Sequence, residues 1–202
     1  MITIVDYGLG NLGSVLNMLK RIGVEGEIKS DLKSIENASK LILPGVGAFD
    51  AAMKKLNESN LTSVLKVKAL EEKTPIMGIC LGMQILMNSS EEGSKAGLGL
   101  IDGEVKKFSY DDSQLKIPHM GWNYVYMSRN NAPLFNGLGE SKFYFVHSYY
   151  VKVKDKTNSL LTTNYGIEFD SGVMKDNIYG FQFHPEKSHK FGMKLFENFA
   201  EL

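Results

Sequence analysis

The sequence predicts an α/β protein with an open sheet in three layers, in which the core strands are parallel and a second portion is antiparallel. Up to about Asn88, short apolar runs alternate with stretches of helical periodicity, as expected for parallel strands joined by crossover helices. From Leu98 to Phe183, β-branched and aromatic segments are separated by turns, which is typical of antiparallel strands. No linker, repeat or low-complexity tract interrupts the 202 residues, so we expect one domain over residues 1–202.

The first half begins with a buried strand, Met1–Asp6, that enters the turn Tyr7-Gly8-Leu9-Gly10. Asn11 is a suitable N-cap for the next helix, and Gly23 suits its C-terminus. The apolar residues between them recur at helical spacing: Leu12, Val15, Leu19 and Ile22. A second apolar run, Lys40–Leu43, is stopped by Pro44-Gly45-Val46-Gly47.

Two helices are predicted next, at about Ala48–Glu58 and Leu61–Glu72. Pro75–Cys80 has the pattern of a strand and leads directly into a helix from Leu81 to about Asn88. The strands predicted for the second half are Asp102–Phe108, Gly121–Met127, Lys142–Val153, Leu160–Thr163 and Ile178–Phe183. A last helix, about Ser188–Leu202, closes the chain.

Composition excludes several classes of function. Lys plus Arg and Asp plus Glu number 23 each, and a net charge of zero argues against nucleic acid or an anionic membrane as the main partner. No apolar run approaches the roughly 18 residues that span a bilayer, and the N-terminus lacks the pattern of a signal peptide. The single cysteine and the histidines at 119, 147, 184 and 189 show no metal-ligand spacing. We therefore expect a cytoplasmic protein without metal or cofactor.

One motif points to a dinucleotide. The segment Gly8–Gly13 matches G-x-G-x-x-G between a predicted strand and a predicted helix, the setting in which helix N-terminal amides hold a pyrophosphate. Asp31 lies near the position expected for a ribose-binding carboxylate, although beyond the expected end of a second strand. Glycines that merely serve a tight turn would give the same motif. A non-catalytic dinucleotide-binding module stays open as an alternative.

A second motif predicts a nucleophile. Gly78-Ile79-Cys80-Leu81-Gly82 is a G-x-C-x-G form of the nucleophile elbow, between a predicted strand and a predicted helix. Its glycines permit a sharp turn that exposes Cys80 at the start of the helix, where free amides and the helix dipole favour a thiolate. The N–H of Leu81 is placed to stabilise an oxyanion. The alternative is that Cys80 is a small buried apolar residue.

His184-Pro185-Glu186 favours the catalytic interpretation. These residues follow the predicted strand that ends at Phe183, at the carboxyl edge of the sheet where Cys80 also lies. Pro185 keeps His184 out of helical conformation, and residues two apart in extended backbone point the same way. Glu186 can therefore orient the imidazole of His184, which takes the thiol proton. His147, at another strand end, is the rival base.

These motifs resemble the triad glutamine amidotransferases. Within that class, three further stretches are similar to the glutaminase subunits of imidazole glycerol phosphate synthase, and the resemblance covers essentially the whole chain: Asp6–Leu12, Pro44–Phe49 and Pro118–Asn123. It implies a flavodoxin-like amidotransferase fold and a Cys80–His184–Glu186 triad that hydrolyses glutamine through a thioester. Leu81 and the Gly45-Val46-Gly47 segment would supply amides for the oxyanion, and this segment would act as a switch.

The resemblance also implies where substrate and partner bind. The amino acid head of L-glutamine would contact Gln84, Glu92, Ser148 and Tyr149. A barrel-type cyclase subunit would form a heterodimer and receive the ammonia, and the matched interface positions are Asn11, Met120, Trp122 and Lys187. The sequence does not separate this activity from a paralogue that supplies ammonia for nucleotide-sugar amidination, and a hydrolase of another amide stays open.

Overall fold

The structure is a computed structural model and describes residues 1–109, 115–128 and 133–202. Its α-helices within these ranges are α1 (Leu12–Arg21), α2 (Leu32–Glu36), α3 (Phe49–Glu58), α4 (Leu61–Leu70), α5 (Leu81–Gln84) and α6 (His189–Glu201). The strands of the first half are β1 (Ile2–Val5), β2 (Gly26–Lys29), β3 (Leu41–Gly45), β4 (Ile76–Cys80) and β5 (Ser89–Ser90). Those of the second half are β6 (Gly103–Lys107), β7 (His119–Met127), β8 (Ser141–His147), β9 (Tyr149–Val153), β10 (Ser159–Tyr165), β11 (Ile167–Lys175) and β12 (Ile178–Phe181).

The main sheet has the strand order β2-β1-β3-β4-β12-β11-β10-β7-β8. Pairing is parallel from β2 to β12 and antiparallel from β12 to β8. The last strand in sequence thus lies beside β4, with Gly180 opposite Gly78 and Phe181 opposite Ile79. This register brings the end of β4, where Cys80 lies, and the segment after β12, which carries His184, to the same sheet edge.

Helices cover both faces of the parallel part. Leu41 and Leu43 point to a core shared with Phe49 and Leu56 of α3, whereas Ile42 between them belongs to the opposite core. That second core is formed with α1 and α6 and includes Val15, Leu19, Leu195 and Phe196. The alternation along β3 gives two apolar layers around one sheet. The predicted three-layer fold with a parallel first portion and an antiparallel second portion is therefore confirmed.

Several boundaries differ from the prediction. The segment Lys142–Val153 forms two strands, β8 and β9, because the chain breaks between them at Ser148. β2 and β11 were not predicted: β2 is a half-buried edge strand, and β11 buries Asp170 and Ser171 in its centre. β3 continues through Pro44, which lies beyond the two residues of β3 that pair with β1. A proline there interrupts no ladder on that side.

The predicted helix from Leu81 to about Asn88 is only α5. The chain leaves the helix after Gln84 because a returning segment captures the next carbonyl groups: Leu98 N–H donates to Ile85, Leu100 N–H to Leu86 and Gly99 N–H to Met87. With four residues, α5 has little macrodipole. An anion at the start of α5 is therefore favoured by the free N–H groups of its first turn, and not by the dipole of a long helix. None of the helices in the described ranges could span a bilayer, the longest being α6 with 13 residues.

Candidate active site

Cys80 occupies a strained turn between β4 and α5. Its φ of 55° and ψ of −111° are unusual for a residue with a side chain. The backbone of this turn leaves no room for a side chain at two positions. A Cβ on Gly78 would lie 2.5 Å from the carbonyl oxygen of Gly82, and a Cβ on Gly82 would lie 1.7 Å from that of Leu43. Both glycines are thus required by backbone contacts. The predicted elbow forms, and its strain is of the kind stored at functional sites.

His184 and Glu186 form a buried pair beside this turn. His184 Nδ1 lies 2.7 Å from Glu186 Oε1, and the two side chains are 2% and 3% exposed. His184 is extended, as predicted, but Pro185–Lys187 is a 3-10 turn. The expected reason for their contact is therefore wrong: the turn, and not an extended backbone, folds Glu186 back onto His184. A carboxylate accepts, so Nδ1 carries the proton that it donates to Glu186.

The charge state of His184 is set by its neighbours. Burial opposes protonation, but hydrogen bonding and charge from Cys80 and Glu186 outweigh it and raise the pKa of His184 to about 10. Its Nε2 is buried and makes no hydrogen bond of ordinary geometry within the described ranges. An imidazole that holds its proton beside a thiol favours a thiolate–imidazolium pair. Such a pair combines an activated nucleophile with a proton donor.

Cys80 and His184 open onto a cavity of about 350 Å³. Of the predicted oxyanion residues, Leu81, Val46 and Gly47 line it. Gly45 does not, because it packs behind the wall: a Cβ there would lie 2.6 Å from the Tyr7 hydroxyl and 2.9 Å from Gly82 N. Gly47 has a φ of +100°, which suits glycine. The cavity that Cys80 lines is thus also lined by three of the four residues predicted to supply oxyanion amides.

The four residues predicted to bind the glutamine head also line the cavity: Gln84, Glu92, Ser148 and Tyr149. Glu92 is not a freely solvated carboxylate, since its Oε2 accepts from the Phe49 N–H at 2.9 Å. That contact ties the loop after β5 to the first turn of α3. Asp50 adds to it by accepting from the N–H groups of Ser94 and Lys95. The Glu92 carboxylate, which is held in the cavity wall by these contacts, is placed to bind an ammonium group.

His147 lines the same cavity but is unsuited to act as the base. Its Nδ1 donates to the Tyr149 carbonyl at 2.7 Å, so its Nε2 must accept from His119 Nδ1 at 2.9 Å. His119 Nε2 in turn accepts from Asn123 Nδ2 at 3.2 Å. Burial lowers the pKa of His147 to about 3 and that of His119 to about 4. Both ring nitrogens of His147 are therefore committed, and the ring is neutral.

The central glycine of the predicted dinucleotide loop is packed against the protein itself. Gly10, with a φ of +111°, lies against Pro44, whose atoms would be 3.2 Å from a Cβ at this position. Asp31 caps α2 by accepting from Ser34 N–H at 2.9 Å. The second glycine therefore serves close packing of this turn on the segment before Gly45, and the carboxylate serves a helix end. The turn interpretation of Gly8–Gly13 accounts for the motif.

Comparisons with known proteins show the family to which the chain belongs. Residues 3–202 match the family described as glutamine amidotransferase class-I. The chain is 57% identical over 201 residues to imidazole glycerol phosphate synthase subunit HisH 2 of Methanococcus maripaludis, covering 100% of the chain and 99% of the relative. It is 53% identical to the subunit HisH 2 of Pseudomonas aeruginosa, with 100% of both chains covered. The chain belongs to the HisH family of class-I glutamine amidotransferases.

Solved structures support the fold. A crystal structure of a glutamine amidotransferase superposes with a TM-score of 0.77 at 19% identity, covering 100% of this chain and 98% of that one. The structure of PurLQS from Thermotoga maritima gives 0.75 at 22% identity, with 99% and 97% covered. At these identities the likeness concerns architecture alone. Membership of the HisH family makes the chain an enzyme, since the family is one of glutamine amidotransferases.

The residues predicted to form a partner interface are all exposed: Asn11, Met120, Trp122 and Lys187. Met120 is 60% exposed although apolar. The Trp122 ring stacks on His189, with centroids 5.5 Å apart, and the Lys187 ammonium lies 5.8 Å from the centre of the Tyr144 ring. Three of the four predicted residues thus belong to one surface of β7, β8 and the 3-10 turn. Asn11 also caps α1, accepting from Ser14 N–H.

Two residues of this site were not predicted from the sequence. Tyr7 donates its hydroxyl to the Pro44 carbonyl at 2.6 Å and thereby holds the segment before Gly45. Burial, with a smaller contribution from Cys80, raises the pKa of Tyr7 and keeps this donor protonated. Gln182 is fully buried, with its Nε2 3.7 Å from Cys80 Sγ. A glutamine between two phenylalanines in an apolar strand was the available signal.

The His119–His147 pair predicts acid sensitivity. Both folded pKa values lie below the ordinary value of 6.5, so the unfolded chain binds these protons more readily. These two histidines should therefore make the free energy of unfolding fall as the pH decreases from about 6.5 towards 4. His184 has the opposite sign: its raised pKa contributes stability below 6.5 that is lost as the pH rises towards 10. As the pH falls below 6.5, the loss of stability caused by His119 and His147 should exceed the gain from His184.

Urea unfolding at pH 7.5 and pH 5.0 measures this effect. This window lies above the ordinary carboxylate pKa values of about 4, so histidines dominate it. The variant His119→Gln removes one of the two buried titrating rings. We expect it to lose about 1 kcal/mol less stability between the two pH values than the unsubstituted protein. An equal loss in both proteins would contradict the assignment.

Proposed function

We propose that this chain is the glutaminase subunit of an imidazole glycerol phosphate synthase of histidine biosynthesis, and that it hydrolyses glutamine with a Cys80–His184–Glu186 triad. The observation that carries the proposal is the His184–Glu186 pair, 2.7 Å apart and buried, beside a thiol held on a strained elbow at the cavity wall. Residues 1–202 act as one amidotransferase domain in this proposal. Full-length identity to HisH subunits supports the choice of pathway.

The reaction divides into two steps. The Cys80 thiolate attacks the amide carbon of glutamine and forms a tetrahedral oxyanion, which the Leu81 N–H and an amide of the 45–47 segment stabilise. The oxyanion collapses, the C–N bond breaks, and His184 Nε2–H protonates the leaving nitrogen as ammonia. His184, now neutral, takes a proton from water, whose oxygen attacks the thioester. Glutamate leaves and the thiolate–imidazolium pair is restored.

Recognition of glutamine follows from the cavity wall. Glu92, held by the Phe49 N–H, provides a negative charge for the α-ammonium group. Gln84, Ser148 and Tyr149 provide neutral polar groups for the rest of the amino acid head. The amide carbon then lies towards Cys80 and His184. The negative charge for the ammonium and the thiolate for the amide are on separate residues of the wall, which fixes the direction in which glutamine enters.

The ammonia is delivered to a barrel-type cyclase subunit in a heterodimer. The exposed surface that contains Met120, Trp122 and Lys187 supports this assignment, since aromatic and methionine side chains are enriched at interfaces. An internal ammonia channel between the subunits would prevent loss to water. The 45–47 segment would gate the reaction by turning an amide towards or away from the oxyanion, as glycines at 45 and 47 permit. The predicted cytoplasmic location suits such a biosynthetic role and stays a prediction.

The test is glutamate release by the chain with a cyclase subunit, with and without the cyclase's nucleotide ligand. We expect glutamine hydrolysis to be fast only when both are present, because the partner then turns the 45–47 segment. Equal rates in all conditions would remove the gating part of the proposal. If glutamine hydrolysis responds only to the barrel subunit of a nucleotide-sugar amidination enzyme, the chain supplies ammonia for that reaction instead.

A further inference from the structure

Two buried glutamine side chains connect the cavity wall to the nucleophile. Gln84 Nε2 lies 3.2 Å from the Tyr149 carbonyl oxygen and 3.0 Å from Gln182 Oε1. Gln182 Nε2 lies 3.7 Å from Cys80 Sγ. Gln84 is 5% exposed and Gln182 0%, and the hydrogen bond between the two amides is buried. Gln182 has no role in the two steps proposed for glutamine hydrolysis.

The direction of each hydrogen bond follows from donor and acceptor chemistry. A carbonyl oxygen only accepts, so the Gln84 group that faces Tyr149 is its NH₂. The second hydrogen of that nitrogen points to Gln182, which must therefore present its oxygen to Gln84. The nitrogen of Gln182 is then left to face the sulfur of Cys80. The Tyr149 carbonyl thus fixes the orientation of both amides.

The backbone explains why Gln182 reaches the sulfur. β12 runs parallel to β4 with Phe181 opposite Ile79, so the next residues, Gln182 and Cys80, are also neighbours. Gln182 lies two residues before His184, and both side chains approach Cys80. The thiol is therefore approached by an amide donor from one position and by an imidazole from the other. Hydrogen bonds to a charged partner are stronger than those between neutral groups, so this donor favours thiolate over thiol.

We propose that Gln182 is a positioning residue for the nucleophile, whose N–H, oriented by Gln84, donates to Cys80 Sγ and stabilises the thiolate. Gln84 thereby contributes to two tasks, since it lines the cavity and fixes the amide that contacts the sulfur. A substrate that contacts Gln84 would influence the thiolate through Gln182. The claim that Gln182 stabilises the thiolate does not depend on the proposed glutaminase activity. The claim that a substrate influences the thiolate through Gln84 rests on that proposed function.

The test is the pH dependence of Cys80 alkylation by iodoacetamide in the full chain. Cys80 is the single cysteine, so the label reports on this sulfur alone. Gln182→Met keeps the length of the side chain and removes the donor, and Gln182→Glu replaces the donor by a carboxylate oxygen. We expect the midpoint of the alkylation profile to rise by about one pH unit in Gln182→Met, and by more in Gln182→Glu. Gln182→Glu serves alone if Gln182→Met does not fold.

Asn198→Leu is the matched control. Asn198 is another buried amide, and it donates to the carbonyls of Leu134 and Asn136 instead of to the site. Its substitution should lower stability and leave the midpoint unchanged. Wild-type midpoints in the Gln182 variants, or an equal shift in Asn198→Leu, would overturn the inference.

Glutamine hydrolysis provides a separate readout. With an active glutaminase, Gln182→Met should lower kcat about tenfold with little change in KM, because the affected group is the nucleophile. A purely structural role would not move the midpoint. A shifted midpoint in a protein without glutaminase activity would uphold the role of Gln182 and refute the proposed function, so the two failures are distinguishable.

Discussion

Replacing Cys80 by alanine is expected to abolish glutamine-dependent activity, with kcat at least about 10⁴-fold lower in the complex with the cyclase subunit. The chain holds no other thiol, so no residue can form the thioester in its place. Binding and the oxyanion amides alone would leave only a small residual rate. Glutamate release under saturating glutamine measures the effect.

The same variant provides its own control when ammonium salt replaces glutamine. The cyclase reaction should then proceed at the wild-type rate, because the change removes ammonia production and leaves the partner surface intact. Alanine is smaller than cysteine and the position is a strained turn, so thermal unfolding should accompany the assay. Undiminished glutamate release by a folded Cys80→Ala protein would remove the triad.

The parts of the site that sequence could predict are those fixed by local backbone rules. Gly78 and Gly82 are needed because their Cα atoms meet neighbouring carbonyl groups, and that need is visible as a glycine pattern around Cys80. Pro185 likewise indicates that the backbone of His184 is not helical. Both are properties of a few consecutive residues, which explains why the elbow and the non-helical backbone of His184 could be predicted. The contact of His184 with Glu186 was expected from an extended backbone, whereas the 3-10 turn Pro185–Lys187 makes it.

What sequence could not predict depends on distant chain segments. The length of α5 is decided by Leu98–Leu100, which return to take its next carbonyl groups. Gln182 meets Gln84 and Cys80 only because β12, the last strand, lies beside β4. Tyr7 finds the Pro44 carbonyl across 37 residues. In each case the partner is chosen by sheet topology, which periodicity does not reveal.

Replacing Glu186 by glutamine is expected to lower kcat by up to about 10⁴-fold, the loss seen when the carboxylate of a serine-protease triad becomes an amide. The Glu186 carboxylate accepts from His184 Nδ1–H at 2.7 Å and holds the ring with Nε2 towards the thiol. A glutamine can turn its NH₂ to Nδ1 instead, which places the proton on Nε2 of a neutral ring and leaves no base for the thiol.

The loss of charge acts in the same direction and has its own signature. Without the carboxylate, the pKa of His184 should fall from about 10, because burial is then opposed by Cys80 alone. The pH–rate profile of Glu186→Gln should therefore lose activity at a lower pH on its alkaline side than the wild-type profile does. Glu201→Gln, the same chemical change at an exposed position of α6, should leave both rate and profile unchanged. An unaltered alkaline limb in Glu186→Gln would show that Glu186 orients the ring without stabilising its charge, since orientation alone lowers the rate but does not move the titration of the imidazolium.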